Sequence, residues 1–174
     1  NKKFILAADI GSNPDKIYTK DYQAGALSFE IFSNDKKLIS NSGYYPDTKN
    51  RLNKLSKSTA LQNTLSIEDY SSSDFIKSSN NFLIQKDLKI ENKNIVFEKN
   101  YWKISASHNG YFKKFKLDHH REIEFYPEQF KFIGHDKIVR KDPNKQIKFD
   151  IRFHLHPDSK VMKTQNNKFI SVSY

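Results

Sequence analysis

The chain has 174 residues and a mass of 20.5 kDa, so we expect residues 1–174 to form one domain that folds without disulfides or a structural metal. It contains no cysteine, which excludes disulfides, zinc thiolates, iron–sulfur clusters and thiol catalysis. Mean hydropathy is −0.80. No apolar run approaches the roughly 20 residues of a membrane helix, so we expect neither a transmembrane span nor a signal segment.

The net charge is +10, from 30 basic and 20 acidic residues, and it predicts an acidic polymer as partner. The basic residues are mostly lysines that are dispersed along the chain. Nucleic-acid-binding proteins tend to concentrate arginine, or basic and aromatic residues, in a recognisable motif, and none is present here. We therefore predict a partner other than nucleic acid.

Alternation of apolar and polar residues dominates the chain and predicts β-strands. In chain order, the clearest alternating segments are ALSFEIF (Ala26–Phe32), WKISA (Trp102–Ala106), REIEFY (Arg121–Tyr126) and FDIRFHL (Phe149–Leu155). The turn signals between strands are Asn34-Asp35, Glu91-Asn92-Lys93, Asn109-Gly110 and Asn166-Asn167. About a dozen short strands without a sustained helical period predict an all-β fold, a two-layer antiparallel β-sandwich.

Three segments depart from simple alternation. Tyr44–Ala60 is polar and contains Pro46, so it is predicted to be a long loop, and the serine-rich Ser71–Asn81 is predicted to be a second connection. FKKFK (Phe112–Lys116) is interpreted as a solvated strand rather than as an anion-binding clamp, because its lysines alternate imperfectly with phenylalanines.

Five segments follow one another in an order that is similar to the motifs of a known family. They are DYQAGALSFE (Asp21–Glu30), LISNSGYY (Leu38–Tyr45), KSTALQNTLSI (Lys57–Ile67), SHNGYFKKFKLDHHREIEF (Ser107–Phe125) and FDIRFHLHP (Phe149–Pro157). They resemble the motifs of the carboxy-terminal β-sandwich domain of heparinase II/III-like polysaccharide lyases, and together they cover most of the chain.

The resemblance implies a role in the cleavage of acidic polysaccharides by β-elimination. In that reaction a uronate carboxylate is neutralised, a base removes the C5 proton and an acid protonates the departing glycosidic oxygen. In the family these roles fall mainly to an amino-terminal α/α toroid, with one histidine from the sandwich. Some members also hold a structural zinc through His, Asp and His of the sandwich. We expect no toroid within residues 1–174, so a toroid in the parent chain is a predicted partner.

This sequence departs from the family pattern at the functional positions. Asp21 stands at the position of the sandwich catalytic histidine, Gln23 at that of the next motif histidine, and Gly25 at that of the motif aspartate. The resemblance places the other two metal ligands at Asn41 and Gln62. Neutral amide oxygens are poor zinc ligands, so we predict no metal and no cofactor.

Gln23, Asn41 and Gln62 can instead satisfy one another, and we hypothesise that they form a hydrogen-bonded amide cluster. Asp21 is a poor candidate for the general base, because an ordinary aspartate pKa of about 4 is too low and a uronate carries the same charge. We therefore predict no catalytic residue in this chain and no lyase activity of the domain alone.

Other polar and aromatic residues are candidates for saccharide binding. Asn63, His108 and Tyr111 join the three amides as predicted binding residues, although His108 can equally orient the turn that follows it and Tyr111 can belong to the core. The His154-x-His156 pair is predicted to be a feature of the sheet rather than a metal site, because Arg152 shares its face of the strand.

The predicted function is thus that of an auxiliary sandwich domain of a heparinase II/III-like lyase, with degenerate catalytic and metal positions and acidic polysaccharide as partner. Two alternatives remain open: a stand-alone module that binds anionic glycans, and part of an active lyase completed by an upstream toroid. The resemblance also suggests a bacterial source and a periplasmic or cell-envelope location.

Overall fold

The structure is a computed structural model that describes residues 3–78, 81–84, 88–142, 146–163 and 170–173. Two short α-helices, α1 (Arg51–Ser56) and α2 (Phe112–Phe115), accompany the strands, with 3-10 turns at Lys16–Asp21, Thr59–Leu61 and Pro127–Gln129. The strands are β1 (Phe4–Ala8), β2 (Phe29–Ser33), β3 (Lys36–Ile39), β4 (Leu65–Ile67), β5 (Phe75–Ser78), β6 (Asn81–Ile84), β7 (Ile90–Phe97), β8 (Trp102–His108), β9 (Leu117–Tyr126), β10 (Lys131–Arg140), β11 (Phe149–Ile151), β12 (Lys160–Lys163) and β13 (Ile170–Ser173).

Two antiparallel sheets form the body of the fold, which confirms the predicted all-β class. One has the order β1-β2-β3 and the other the order β10-β9-β8-β7. Their facing sides meet in an apolar cluster in which Phe29 and Ile31 of β2 pack with Ile123 of β9, and in which Leu6 and Phe132 are also packed. The remaining paired strands form two-stranded sheets, β4 with β11, β5 with β6 and β12 with β13.

The core strand β9 shows why alternation predicted the sheets correctly. Its residues alternate strictly between buried and half-buried from Leu117 to Tyr126, so one face of the strand lies against the other sheet. Phe125 on that face lies 4.3 Å from Phe132 and 4.9 Å from Trp102, measured between ring centroids. Trp102 is half-buried and packs against the ring of Phe125.

Strand β11 covers only the first three residues of the alternating segment Phe149–Leu155. Its segment continues beyond Ile151 and meets β3, where Ile39 and Leu155 form an antiparallel bridge and Ser40 N donates to the carbonyl of His154 at 3.0 Å. The apolar residues of the segment are its more exposed ones, with Phe153 54% exposed. Alternation was recognised correctly here, but it does not indicate which face is turned towards the core.

Two predicted connections were wrong because they contain regular structure. Tyr44–Ala60 was predicted to be a loop, but it includes α1, whose first turn is capped by the side chain of Asn50 accepting from Leu52 N. Ser71–Asn81 was predicted to be a connection, but it contains β5 and the first residue of β6, which pair antiparallel. Six-residue helices and four-residue strands are too short to give a clear period in the sequence.

The turn predictions had mixed outcomes. Asn34-Asp35 does connect β2 and β3, whereas Asn92 lies inside β7 at a bulge, with a φ of 53°. Asn109-Gly110 does not make a two-residue hairpin, because β8 and β9 are joined by a longer connection that contains α2. The interpretation of Phe112–Lys116 as a strand was therefore wrong. The predicted turn at Asn166-Asn167 lies outside the described residues.

In the described part of the chain, no helix has the length and apolar character needed to cross a membrane.

Candidate functional site

Two of the three amides predicted at the metal positions are in direct contact. Gln62 Nε2 donates to Gln23 Oε1 at 3.2 Å and to the carbonyl of Ser56 at 3.3 Å. Two hydrogen bonds bring their chain segments together: Ala24 N donates to Lys57 O at 2.8 Å, and Thr59 Oγ1 donates to Ala24 O at 2.7 Å. Gln62 is buried and Gln23 is half-buried, so this amide pair lies at the edge of the interior.

The neighbouring glycine leaves room for Gln62. A Cβ atom at Gly25 would lie 3.5 Å from Gln62 Cγ and Oε1 and 3.0 Å from Ser28 Oγ. A larger side chain at this position would therefore compete with the glutamine for the same space. Gly25 and Gln62, which the resemblance places at the motif aspartate and histidine positions, are thus sterically compatible with one another.

Asn41 joins the amide pair only indirectly. Its Nδ2 donates to Ser28 Oγ at 3.3 Å, and its Oδ1 accepts from the backbone N–H of Asn63 at 2.7 Å. Among the hydrogen bonds given for the described residues, none joins Asn41 directly to Gln23 or Gln62. In place of the hypothesised three-amide cluster there is a contacting pair, and Asn41 is bonded instead to Ser28 and to the backbone N–H of Asn63, which follows Gln62 in the chain.

These residues do not fit the zinc that some family members bind. The oxygens of Gln23 and Asn41 already accept hydrogen bonds from N–H groups, and amide oxygens are weak zinc ligands beside imidazole and carboxylate. Within the ranges that the structure describes, no group of three His, Cys, Asp or Glu side chains is arranged to hold a metal ion.

Asp21 lies beside a buried lysine that the sequence did not predict. The Asp21 side chain is 59% exposed and lies 3.8 Å from Lys20 Nζ. Lys57 is buried, donates from Nζ to the carbonyl of Lys20, and places its ammonium 5.5 Å from the ring centre of Tyr44. Burial lowers the pKa of Lys57, and the negative charge of Asp21 opposes this effect.

Tyr44 provides a hydroxyl group at the same place. Asn53 Nδ2 donates to Tyr44 Oη at 3.2 Å, and the same amide donates to Tyr45 O at 2.6 Å. Burial raises the pKa of Tyr44, and Asp21 raises it further, so the phenol stays protonated at neutral pH. Tyr44 and Asp21 can therefore donate and accept hydrogen bonds to a saccharide, but neither is arranged as a proton-abstracting base.

The predicted binding residues His108 and Tyr111 lie in the interior. Tyr111 Oη donates to the carbonyl of Leu65 at 3.0 Å, and its ring belongs to a core cluster with Leu65 and Leu117. His108 Nδ1 accepts from the backbone N–H of Gly110 at 3.0 Å. Of the two roles left open for His108, this contact supports the orientation of the turn.

His108 begins a buried chain of hydrogen bonds. Its Nδ1 accepts from a backbone N–H, so the neutral ring carries its proton on Nε2, which lies 3.1 Å from His119 Nδ1. His119 must then accept at Nδ1 and donate from Nε2, which lies 2.6 Å from Asp136 Oδ1. Burial lowers the pKa of His119, although its bond to Asp136 opposes this effect.

Arg121 ends this chain and was not predicted. Its Nε and Nη2 donate to the two carboxylate oxygens of Asp136 at 2.8 and 3.0 Å, and its Nη1 donates to the carbonyls of Leu27 and Asn63. Burial raises the pKa of Asp136, but the bonds from His119 and Arg121 outweigh it and lower that pKa to about 2. The sequence contained a signal for this buried polar chain, because His119 and Arg121 stand at the alternate positions of β9 that are otherwise apolar.

Asn63 connects separate parts of the fold. Its Nδ2 donates to the carbonyl of Phe29 at 3.0 Å, and its Oδ1 accepts from His154 N at 2.6 Å. The side chain is fully buried. His154 in turn directs Nε2 to the carbonyl of Ala60 at 3.1 Å, whereas His156 lies 3.7 Å from Asp158. The two histidines thus have different partners.

The comparisons with known proteins gave one match. Residues 1–173 match the family model described as heparinase II/III-like, C-terminal. Neither the curated proteins nor the solved structures gave a significant match. The resemblance noted from five segments is confirmed over nearly the whole chain. The chain belongs to the family of heparinase II/III-like C-terminal domains, which are associated with polysaccharide lyases.

Proposed function

We propose that this chain is an auxiliary β-sandwich domain of a polysaccharide lyase, with degenerate catalytic and metal positions and no turnover of its own. The observation that carries the proposal is the contact between Gln62 and Gln23, at 3.2 Å, where relatives place metal-binding histidines. Asp21 at the position of the family's catalytic histidine supports the same conclusion.

The chemistry of β-elimination supports inactivity of the isolated domain. A base must reach the C5 proton, and an acid must reach the glycosidic oxygen. Asp21 repels a uronate carboxylate, and Lys57 is buried behind its contacts with Lys20 and Tyr44. Tyr44 can form a hydrogen bond to a substrate. These residues are therefore better suited to form a wall of a binding cleft than to form a complete catalytic centre.

The proposed partners are an acidic polysaccharide and an α/α toroid of the parent chain. The net charge of +10 favours an anionic polymer as partner. The toroid is expected because the chain belongs to a family of C-terminal domains whose relatives carry one. In this role the sandwich would contribute part of the cleft wall while the toroid provides the reacting groups. By the same resemblance, we propose a bacterial cell envelope or periplasm as the setting.

The test combines metal analysis with an activity assay on protein purified without a histidine tag. We expect little bound zinc, and no ultraviolet absorbance of unsaturated uronate when uronate polymers are added. Zinc near one equivalent that is lost in Gln62→Ala, or turnover by the domain alone, would contradict the proposal. Turnover that appears only with a toroid supplied from the parent protein would instead favour the active-lyase alternative.

A stand-alone module that binds anionic glycans is the second candidate. It is favoured by a cluster of exposed lysines beside a groove, at the connection between β8 and β9. Binding of anionic polymer by the domain alone, weakening steeply as salt is added, is the result expected for such a module. Absence of binding at low salt would remove this candidate.

A further inference from the structure

Four exposed lysines meet at one corner of the molecule. Lys113, Lys114 and Lys116 belong to the connection between β8 and β9, and Lys141 directly follows β10. A backbone hydrogen bond of 3.1 Å from Lys141 N to Lys116 O holds the two segments together. We call these four residues the lysine corner.

Aromatic rings hold three of the four side chains. The ammonium of Lys114 lies 2.9 Å from the ring centre of Tyr70, and those of Lys116 and Lys141 lie 5.5 and 4.8 Å from the ring centre of Phe112. Cation–π contacts restrict long side chains that would otherwise move freely in water. The positive charges are therefore concentrated and partly fixed, unlike those of dispersed surface lysines.

Asp118 interacts electrostatically with Lys141, but in the described part of the chain the lysine corner is not neutralised by close ion pairs. The ion pairs found among the described residues, with a limit of 4.0 Å, include none of its four lysines. Lys116 and Lys141 share one ring although their like charges repel. A bound anion would relieve this repulsion, and the site would gain more from it than an isolated lysine does.

A groove of about 370 Å³ lies beside two of these lysines, within the size range of small-ligand sites. Its lining includes Tyr70, Ser71, Asp74, Lys113, Lys114 and Phe115. The lysines suit a carboxylate or sulfate group, whereas Ser71 and the exposed Asp74 suit sugar hydroxyls. The aromatic rings offer apolar surface to the C–H groups of a sugar. This combination of basic, hydroxyl-binding and aromatic side chains matches an acidic saccharide better than a simple inorganic anion.

The groove is connected to the amide-lined site. Ser71 Oγ accepts from Thr59 N at 3.1 Å, and Thr59 Oγ1 donates to the carbonyl of Ala24 at 2.7 Å. Ala24 follows Gln23 directly in the chain. The segment that carries Gln23 is thus joined to the groove by two hydrogen bonds.

We propose that the lysine corner and its groove bind an acidic saccharide unit, through a carboxylate or sulfate group, outside the amide-lined site. The inference rests on the proposed function, because it is the proposed function that leads us to expect a polymer as the ligand. It gives the domain a defined binding surface in place of a general attraction by net charge.

The experiment compares two variants that lose the same charge at different places. In the corner variant, Lys113, Lys114, Lys116 and Lys141 are changed to Gln. In the control variant, four exposed lysines away from the groove are changed to Gln: Lys49, Lys93, Lys99 and Lys160. Both lower the net charge by four, and thermal unfolding by circular dichroism verifies that both remain folded.

Affinity is measured by calorimetry at several salt concentrations with heparin as the sulfated probe, polygalacturonate as the carboxylated probe and dextran as the uncharged one. We expect the corner variant to bind at least one anionic probe about tenfold or more weakly, and the control variant to lose less than threefold, because pairing with a bound anion needs the charges close together. The probe that responds identifies the group as sulfate or carboxylate.

Two outcomes would overturn the proposal, and they can be told apart. Equal weakening of both variants would show that net charge alone attracts the polymer, and would leave the proposed polysaccharide partner intact. No binding of either anionic probe by the unchanged domain would reject both the lysine corner and the proposed polysaccharide partner of this domain.

Discussion

Arg121 makes four hydrogen bonds in the interior through its guanidinium. It pairs with both oxygens of Asp136 and donates to two backbone carbonyls, those of Leu27 and Asn63. The Leu27 and Asn63 carbonyls are in buried contacts and the Asp136 carboxylate is mostly buried, with a further hydrogen bond from His119, so loss of the guanidinium would leave these groups poorly satisfied. The arginine thereby links β9 to β10 and to two segments of the opposite layer.

Removal of the Arg121 guanidinium should be strongly destabilising. We expect Arg121→Met to lower the free energy of unfolding by about 3–5 kcal/mol, because it leaves a buried carboxylate without its cation. Urea denaturation followed by circular dichroism measures the change. The control is Lys103→Met, which breaks the half-exposed pair with Glu122 at 3.3 Å and should cost roughly 0–1 kcal/mol. Equal effects of the two substitutions would contradict the role assigned to Arg121.

The His108–His119–Asp136 chain predicts a loss of stability in mild acid. Protonation of His119 would place an N–H on Nδ1 opposite the Nε2–H of His108, and burial already lowers the pKa of His119. A lowered histidine pKa means that the unfolded chain binds the proton first. Stability should therefore be complete above the ordinary histidine pKa of about 6.5 and decline as the pH falls below it.

A second decline should follow at lower pH. The pKa of Asp136 is lowered to about 2, so its contribution is present above the ordinary aspartate range and is lost as the pH falls towards 2. Urea midpoints measured between pH 8 and pH 2 would cover the pH ranges of both declines in stability. In His119→Gln, which does not titrate, the slope between pH 6.5 and 5 should become shallower. An unchanged slope in this variant would assign the effect to other groups.

At the scale of elements, the turn after β8 depends on a glycine. A Cβ atom at Gly110 would lie 2.5 Å from the carbonyl oxygen of Ser72, 2.9 Å from His108 Nδ1 and 2.9 Å from Leu88 Cδ1. Neither the backbone oxygen nor the hydrogen-bonded ring can move aside easily. The close approach explains why the Asn109-Gly110 pair is needed here although it does not form a two-residue hairpin.

We expect Gly110→Ala to destabilise the domain by about 1–3 kcal/mol through overpacking. Gly134→Ala is the matched control, since a Cβ atom there meets nothing within 4 Å. Alanine suits a strand better than glycine, so the control should be neutral or slightly stabilising. The two melting temperatures give the comparison, and a Gly110→Ala protein as stable as Gly134→Ala would refute the steric argument.

The connections also show how far local patterns predict elements. Residues Phe112–Phe115 form a helical turn because they lie between two paired strands, with Lys116 closing the turn in the left-handed conformation at a φ of 55°. Their sequence resembles a strand as much as a helix, and four residues are too few for either period to be decisive. The tertiary position of the connection determined its structure.

For the whole molecule, Asn63 and Arg121 tie the two layers into one cooperative unit. Asn63 bonds to β2 through Phe29 and to the segment after β11 through His154, and its carbonyl accepts from Arg121 of β9. We expect a single unfolding transition, because no layer can separate without breaking these buried bonds.

The domain offers a direct test of this cooperativity. Trp102 is its one tryptophan and lies in the four-stranded sheet, so fluorescence reports on that sheet, whereas far-ultraviolet circular dichroism reports on all strands. Asn63→Ala should lower the free energy of unfolding by about 2–4 kcal/mol, because each buried group left unpaired costs roughly 1–3 kcal/mol. The urea midpoints measured by fluorescence and by circular dichroism should fall together. Transitions that separate in wild type or variant would contradict a single unit.

The residues of the interior polar chain illustrate what could not be predicted. His108 lies opposite His119 in the pairing of β8 with β9, and Arg121 lies opposite Asp136 in the pairing of β9 with β10. The sequence shows each residue on its strand, but a shift of the pairing by one residue would separate them. The amide contact between Gln23 and Gln62 could be proposed from the family motifs, whereas the absence of a direct bond to Asn41 could not.

The sequence by itself determined the all-β class and the family, because these depend on residue identity and on local alternation. Only the tertiary structure decided that Lys57 lies buried beside Asp21 and Tyr44, that the apolar face of β11 is exposed, and that Lys114, Lys116 and Lys141 lie against aromatic rings. The reason is physical: strand register and the packing of distant segments arise from contacts between residues far apart in the chain, which local patterns do not contain.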